Sequence, residues 1–358
     1  MLRPTVAAPS PLQHGTEAAL TSAGAGRADR IQPAVPSSSP PSSDPPEGMV
    51  PVIPASPEGT LLWRVRGVIR TMRPAQWVKN LFVLAPVVFA QELTRPSFII
   101  SALGAFVIFC LLAGAVYTLN DLVDAEADRI HPVKRHRPIA SGCVPVPLAK
   151  AMVVVLVASS LGAALFAAVA AHRWPFFFVS LAYFLQNVAY SFRLKKVAYI
   201  DVSFIALGFV LRVLAGGYAT ATPISAYMIA CTALLALFLG FGKRRHELAG
   251  ANAAKQRAAL EAYSQRALTA ALAVTGVGAV GVYLAYTFDP PSFFHHTQFL
   301  WLTTVHPIFG VVRFIELVVN RPKAESPTQE MLRDVPFVLN LVLWVAEILA
   351  IIGYVRFA

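Results

Sequence analysis

From Leu61 to its end, the chain alternates long apolar runs with short polar connections. A helix needs about 20 apolar residues to cross the hydrocarbon core of a bilayer, and most of these runs approach that length. The composition agrees, because 56% of the residues are hydrophobic and only 14% are charged. Such a composition is typical of integral membrane proteins. We therefore predict an all-α integral membrane protein that is embedded in a bilayer.

The apolar runs predict about nine transmembrane helices. The run that contains Lys79, Asn80 and Pro86 fits least well, because it carries polar residues and a helix breaker. The predicted spans are 76–92, 97–119, 148–171, 174–191, 200–219, 224–241, 267–288, 299–318 and 336–356.

The positive charges of the chain test this count. The net charge is +11, which in a soluble protein would suggest nucleic acid as a partner, but in a membrane protein first suggests the positive-inside rule. With the amino terminus inside the cell, 22 Lys and Arg residues fall on the inner side of the predicted helices and three on the outer side. This bias supports an odd number of spans, and we do not expect nucleic acid as a partner.

Residues 1–59 differ from the rest, since Pro, Ser, Ala and Gly dominate them and no aromatic residue occurs. A segment of this kind buries too little apolar area to offset its ordering entropy. We predict a disordered tail over 1–59 and a transmembrane domain over 60–358. The three cysteines, Cys110, Cys143 and Cys231, have no spacing that indicates disulfides or a metal site.

An acidic stretch follows the second predicted span. At about 100° per residue, Asn120, Asp121, Asp124 and Asp128 share one face of a helix, whereas Glu126 points away. Hard oxygen ligands without His or Cys suit Mg²⁺, which shares its coordination with phosphate oxygens. A solvated acidic helix end is the alternative interpretation.

Cations stand directly beside the acidic stretch, because Lys134, Arg135 and Arg137 follow within ten residues. Carboxylates that suit a metal ion and cations that suit a phosphate lie side by side at a membrane surface. This arrangement indicates a site for a phosphate-bearing substrate. Two further connections on the inner side are more polar than a turn requires, although topology alone also explains basic runs there. The residues that they contribute are Tyr190, Lys195 and Asp201 in one, and Lys243, Arg244 and Arg245 in the other.

Charges inside the spans are costly unless they face the bundle or a wet cavity. Arg212 falls in the middle of a span, so we expect it to face inward. Arg313 and Glu316 are three residues apart and are expected to pair.

The motif Asn120-Asp121-x-x-Asp124-x-x-x-Asp128 resembles the first aspartate-rich motif of the UbiA superfamily of intramembrane prenyltransferases. Further motifs resemble its decaprenyl-phosphate phosphoribosyltransferase branch. They are Arg73-Pro74-x-Gln76-Trp77-x-Lys79-Asn80, His131-Pro132-x-Lys134-Arg135-x-Arg137-Pro138, Tyr190-Ser191 before Leu194-Lys195, and Gly242-Lys243-Arg244-Arg245-x-Glu247.

The resemblance implies an enzyme of a bacterial cytoplasmic membrane, in cell-wall biosynthesis, whose site faces the cytoplasm. It would transfer 5-phosphoribose from phosphoribosyl diphosphate to a polyprenyl phosphate. Mg²⁺ would be held by Asn120, Asp121, Asp124 and Asp128. Asp121, Asp124 and Lys134 would be catalytic. The implied substrate-binding residues are Lys79, Arg137, Tyr190, Lys195, Asp201, Lys243, Arg244 and Arg245.

One departure from the superfamily pattern separates the possible substrates. Members that prenylate aromatic rings carry a second aspartate-rich motif after the sixth span, where this chain has Lys243-Arg244-Arg245. One acidic and one basic site suit a donor with a diphosphate at one end and a monophosphate at the other. An Mg²⁺-dependent aromatic prenyltransferase and a lipid or anion transporter are the alternatives. The oligomeric state cannot be read from these patterns.

Overall fold

The computed structural model describes residues 60–89, 95–192, 194, 197–249, 262–289, 299–320, 330–331 and 333–357. These residues form helices joined by turns, as predicted, and the predicted tail lies outside them. The α-helices are α1 (Leu61–Met72), α2 (Ala85–Phe89), α3 (Pro96–Val123), α4 (Ala125–Ile130), α5 (Val146–Ala171), α6 (Trp174–Phe192), α7 (Ile200–Thr220), α8 (Ala226–Ala249), α9 (Gln265–Phe288), α10 (Val305–Asn320) and α11 (Val335–Phe357). Three 3₁₀ segments cover Pro74–Val83, Lys134–His136 and Leu300–Thr304.

Local sequence signals set several helix ends. The Thr60 hydroxyl accepts the backbone N–H of Trp63 at 3.3 Å and so caps α1, which satisfies a donor that the first helical turn leaves unpaired. Pro96 occupies the first turn of α3, where its missing N–H has no cost. His172 ends α5 in the left-handed conformation, at φ 54°.

Seven helical segments in the described part of the chain are long and apolar enough to cross a membrane, so the protein is a multi-pass membrane protein. Two other predicted spans are not among these seven segments. The predicted span 76–92 is a 3₁₀ segment followed by the short α2, and its last residues lie outside the described part. The predicted span 174–191 coincides with the 19-residue helix α6. The count of nine stays a prediction.

Small side chains let the helices approach one another. The buried residues of α5 are Ala149, Ser160, Ala164 and Ala168. Lipid tails are as apolar as a protein core, so helices in a membrane associate through close packing rather than through the hydrophobic effect. Helices α3, α5, α6 and α7 pack against one another in this way, and α8, α9, α10 and α11 continue the bundle.

An apolar cluster fixes the connection between α4 and α5. Ile139 and Val144 are 1% and 0% exposed and pack with Ala125 and Ala149 in one apolar cluster. Because this cluster joins α4, the connection and the start of α5, it holds the basic segment 131–138 against the acidic end of α3.

Candidate functional site

The acidic stretch does not form one uninterrupted helix. Helix α3 ends at Val123, Asp124 adopts φ −92° and ψ 0°, and α4 begins at Ala125. The backbone N–H of Asp128 still bonds the carbonyl of Asp124 at 2.8 Å, so the helical path changes little. The predicted single helix is therefore wrong at Asp124, but Asp121 and Asp128 remain close enough to bind the same cation.

Two arginines hold the buried carboxylates. Asp121 and Asp128 are only 2% and 3% exposed. Arg137 Nη1 lies 2.6 Å from Asp128 Oδ2 and 3.3 Å from Asp121 Oδ1, and Arg73 Nη2 lies 2.5 Å from the same Asp121 oxygen. One guanidinium thus bridges two carboxylates, which places their oxygens around a position that a cation occupies.

Arg73 reaches Asp121 because of the turn in which it lies. It is the C-cap of α1, at φ 51°, and the next residue starts the 3₁₀ segment Pro74–Val83. Its guanidinium also stacks over the ring of Tyr117, at 5.2 Å from the ring centre. The left-handed turn therefore redirects the chain so that a cation from the first helix meets the acidic end of α3.

Lys134 lies in a 3₁₀ turn beside this cluster and is half-buried. The Nδ1 atom of His131 accepts the backbone N–H groups of Val133 and Lys134, both at 3.2 Å. The Nδ1 atom of His131 therefore stabilises the turn that contains Lys134 and is not directed at the carboxylates. Arg137 follows directly after this turn.

Lys79 is exposed on the 3₁₀ segment Pro74–Val83. The positive charges of Lys243, Arg212 and Arg73 all act on it. Since Arg73 also binds Asp121, the cations around Lys79 and the carboxylates at the end of α3 belong to one polar region. In this region the acidic end of α3 and Lys243 at the end of α8 are joined by cations from the α1 turn, the 3₁₀ segment and α7.

The three consecutive cations at the end of α8 differ in their burial and in their partners. Lys243 is exposed, with Glu247 at 3.9 Å. Arg244 is buried and pairs with Asp201 at 2.8 Å and with Glu247. Arg245 is also buried, and it donates to the Thr269 hydroxyl at 2.9 Å and to the carbonyl of Val318 at 3.3 Å. Of the three, Lys243 is the one that is exposed and therefore accessible to a phosphate.

Asp201, predicted to bind substrate, lies inside the protein. It is 0% exposed and accepts the Tyr263 hydroxyl at 2.6 Å in addition to its ion pair with Arg244. Burial and the hydrogen bond to Asp201 raise the pKa of Tyr263 well above its usual range, so the phenol remains a donor. This arrangement fastens the start of α7 to the end of α8. Tyr190 is half-buried near the end of α6, and Lys195 lies outside the described residues.

The donor set suits a hard divalent cation. Asn120, Asp121, Asp124 and Asp128 offer only amide and carboxylate oxygens, the ligand type that Mg²⁺ takes. Among the described residues, no group of three or more His, Cys, Asp or Glu side chains has the arrangement of a preformed metal site. The convergence of Asp121 and Asp128 on one guanidinium nitrogen nevertheless fits a cation between them.

Comparison with known proteins identifies the family. Residues 81–331 match the model of the UbiA prenyltransferase family. The chain belongs to this family. Solved UbiA structures agree in fold. A UbiA homologue from Archaeoglobus fulgidus bound to GPP and Mg²⁺ aligns with a TM-score of 0.58 at 18% identity, over 80% of this chain and 99% of that one.

Relatives within the UbiA family include two decaprenyl-phosphate phosphoribosyltransferases. The one from Mycobacterium tuberculosis is 33% identical over 306 residues, which cover 81% of this chain and 95% of the relative. The one from Corynebacterium glutamicum is 37% identical over 235 residues, covering 62% and 68%. The predicted family resemblance is thereby confirmed.

Three residues around the candidate site were not among the site residues predicted from the sequence. Tyr117 supports Arg73, while Asn80 and Tyr183 bind Arg212. A signal existed for Asn80, since an amide inside an apolar run next to a lysine is unusual. No local pattern marks the two tyrosines, because their role comes from contacts between helices.

Proposed function

We propose that the protein transfers 5-phosphoribose from phosphoribosyl diphosphate to a polyprenyl phosphate and releases diphosphate. The observation that carries this proposal is the pairing of one acidic cluster with a basic end of α8, where Lys243 stands near Lys79. The activity named for the mycobacterial and corynebacterial relatives supports it. The site would face the cytoplasm of a bacterium, where the water-soluble donor is available.

The reaction needs little proton transfer. The bond between the anomeric carbon of the ribose and an oxygen of the diphosphate breaks, and the diphosphate leaves with the electron pair. An anionic phosphate oxygen of the lipid forms the new bond to the same carbon. Since that oxygen is already negatively charged near neutral pH, positioning and electrostatic stabilisation would provide most of the acceleration.

Mg²⁺ would be held by Asn120, Asp121, Asp124 and Asp128, and when bound it neutralises charge on a leaving diphosphate. The protein's own cations would position the carboxylates and bind the two ends of the donor. Arg73 and Arg137 would set the carboxylates in place, and Lys134 and Lys79 would stabilise the departing diphosphate. Lys243 would bind the 5-phosphate at the opposite end of the donor. The apolar walls of the bundle would hold the polyprenyl chain.

The alternative within the family is an aromatic prenyltransferase. It would use a prenyl diphosphate and would not require a basic end of α8. A lipid or anion transporter is the alternative from another class, but it would not explain why Asp121 and Asp128 converge on one cation position.

Purified protein incubated with radiolabelled phosphoribosyl diphosphate, Mg²⁺ and a polyprenyl phosphate tests the proposal. We expect label in the organic phase and release of diphosphate in equal amounts. A parallel incubation with a prenyl diphosphate and an aromatic acceptor should give no product. Asp121→Asn should abolish the transfer, whereas Glu126→Gln, an exposed carboxylate in the same stretch, should leave it unchanged. Product only in the parallel incubation would refute the proposal.

A further inference from the structure

Arg212 carries its charge deep inside the bundle. Arg212 lies past the midpoint of α7 and is only 6% exposed. A cation within a membrane is costly, so such residues usually serve a function. The reaction described above does not use Arg212 directly, and the charge therefore requires its own explanation.

The partners of Arg212 satisfy its donors but not its charge. Nε donates to Asn80 Oδ1 at 2.7 Å, Nη1 to the carbonyl of Gly208 at 2.8 Å and Nη2 to the Tyr183 hydroxyl at 2.7 Å. The guanidinium also lies 4.8 Å from the centre of the Tyr183 ring. All of these groups are neutral, and in the part of the chain that the structure describes no carboxylate pairs with Arg212.

The uncompensated charge acts on the phosphate-binding region. Arg212 adds its positive charge to those of Lys243 and Arg73 around Lys79. Charges interact strongly where water is excluded. Arg73 is held by Asp121, whereas the partners of Arg212 are neutral, so an anion that enters beside Lys79 meets the uncompensated charge of Arg212.

Asn80 connects Arg212 to the segment that carries Lys79. Asn80 is 0% exposed and also donates to Cys110 Sγ at 3.3 Å. The same segment lies directly on α7, since a Cβ atom at Gly216 would collide with the carbonyl oxygen of Val83. The 3₁₀ segment is thus fixed on both α3 and α7, with Arg212 at the centre of the contact.

We propose that Arg212 is a positioning residue whose uncompensated charge, held by the neutral Asn80, strengthens binding of the diphosphate end of the donor beside Lys79. The identity of the donor rests on the proposed function, whereas the anion site does not. The neutrality of residue 80 is the central point, because an aspartate there would keep the bond to Nε and cancel the charge.

Three variants separate charge from structure. Asn80→Asp keeps an acceptor for Arg212 and neutralises it, Arg212→Gln removes the charge, and Arg212→Lys retains it. We expect Asn80→Asp and Arg212→Gln to raise the KM for phosphoribosyl diphosphate roughly tenfold with a much smaller change in kcat, and Arg212→Lys to recover most of the loss. The KM for polyprenyl phosphate should stay near that of the parent.

Two further measurements make the test independent of turnover. Binding of inorganic diphosphate in the presence of Mg²⁺, followed by calorimetry, should weaken in Asn80→Asp. Thermal unfolding in detergent should show this variant to be close to the parent in stability, because the ion pair that it gains offsets the loss of the bond from Asn80 to Cys110 Sγ and the burial of a carboxylate. A purely structural Arg212 predicts the opposite combination, with stability changed in Arg212→Lys and diphosphate binding unchanged in Asn80→Asp.

The outcomes distinguish this inference from the proposed function. Should Asn80→Asp bind inorganic diphosphate as tightly as the parent, the inference is wrong even if the parent labels the lipid. Should the parent bind inorganic diphosphate, and Asn80→Asp bind it weakly, while no lipid is labelled from phosphoribosyl diphosphate, the proposed function fails and the inference stands.

Discussion

Lys243 and Arg244 are neighbours in the sequence, yet replacing each with Ala should have opposite consequences. Lys243 is exposed, so Lys243→Ala should leave the fold intact and weaken donor binding. A charge-assisted contact to phosphate contributes about 1.5–3 kcal/mol, which corresponds to roughly 10- to 150-fold in kcat/KM. Arg244 and Asp201 have side chains that are 2% and 0% exposed. Breaking such a buried pair costs roughly 3–5 kcal/mol, because the remaining charge has no compensation.

The assay measures thermal unfolding in detergent and the kinetic constants of both substrates for each variant. Lys150→Ala, at another exposed lysine on the predicted inner side, is the matched control for lost positive charge. Asp201→Leu combined with Arg244→Met removes both members of the pair and should be less destabilising than either single change. The reasoning is refuted if Arg244→Ala keeps the parental unfolding temperature and loses donor affinity, or if Lys243→Ala handles the donor like Lys150→Ala.

Further predictions concern the metal ligands, the orientation and the packing. Asp124→Asn should remove most turnover in a protein that stays folded, and a chelator should stop the parent enzyme; full activity in either case would contradict a role for Mg²⁺. In a cysteine-free background, a cysteine at Thr297 should react with an impermeant thiol reagent on intact cells, whereas one at Ala140 should not, and the reverse pattern would overturn the inward-facing site. Gly216→Ala should lower the unfolding temperature because its Cβ would strike a backbone carbonyl, while Gly104→Ala, which faces open space, should not.

Much of the acidic-basic site could be predicted because its parts are close in sequence. Asp128 and Arg137 are nine residues apart, so a short loop brings them together. Apolar runs also predicted the seven long apolar helical segments of the described residues, since hydropathy is a strong signal for membrane spans. The break at Asp124 could not be predicted, because an acidic residue is compatible with both a helix and its end.

Which of the three cations at the end of α8 is buried and which is exposed depends on tertiary structure. Three consecutive helical residues are spread over about 200°, so Lys243, Arg244 and Arg245 cannot all face one ligand. Which of them faces inward depends on where α7 places Asp201, and no pattern within α8 contains that information. The contact between Arg212 and Asn80 is similar, because 132 residues separate its partners.

The guanidinium that bridges Asp121 and Asp128 acts as a resident counter-ion. With Arg73 and Arg137 in place, the resting cluster is close to electrical balance, and a free divalent ion would have to displace an arginine for little net gain. A donor that arrives with the ion changes this balance, since its diphosphate offers the displaced guanidinium a new partner. Metal and donor should therefore enter as one complex, and the free enzyme should bind Mg²⁺ only weakly.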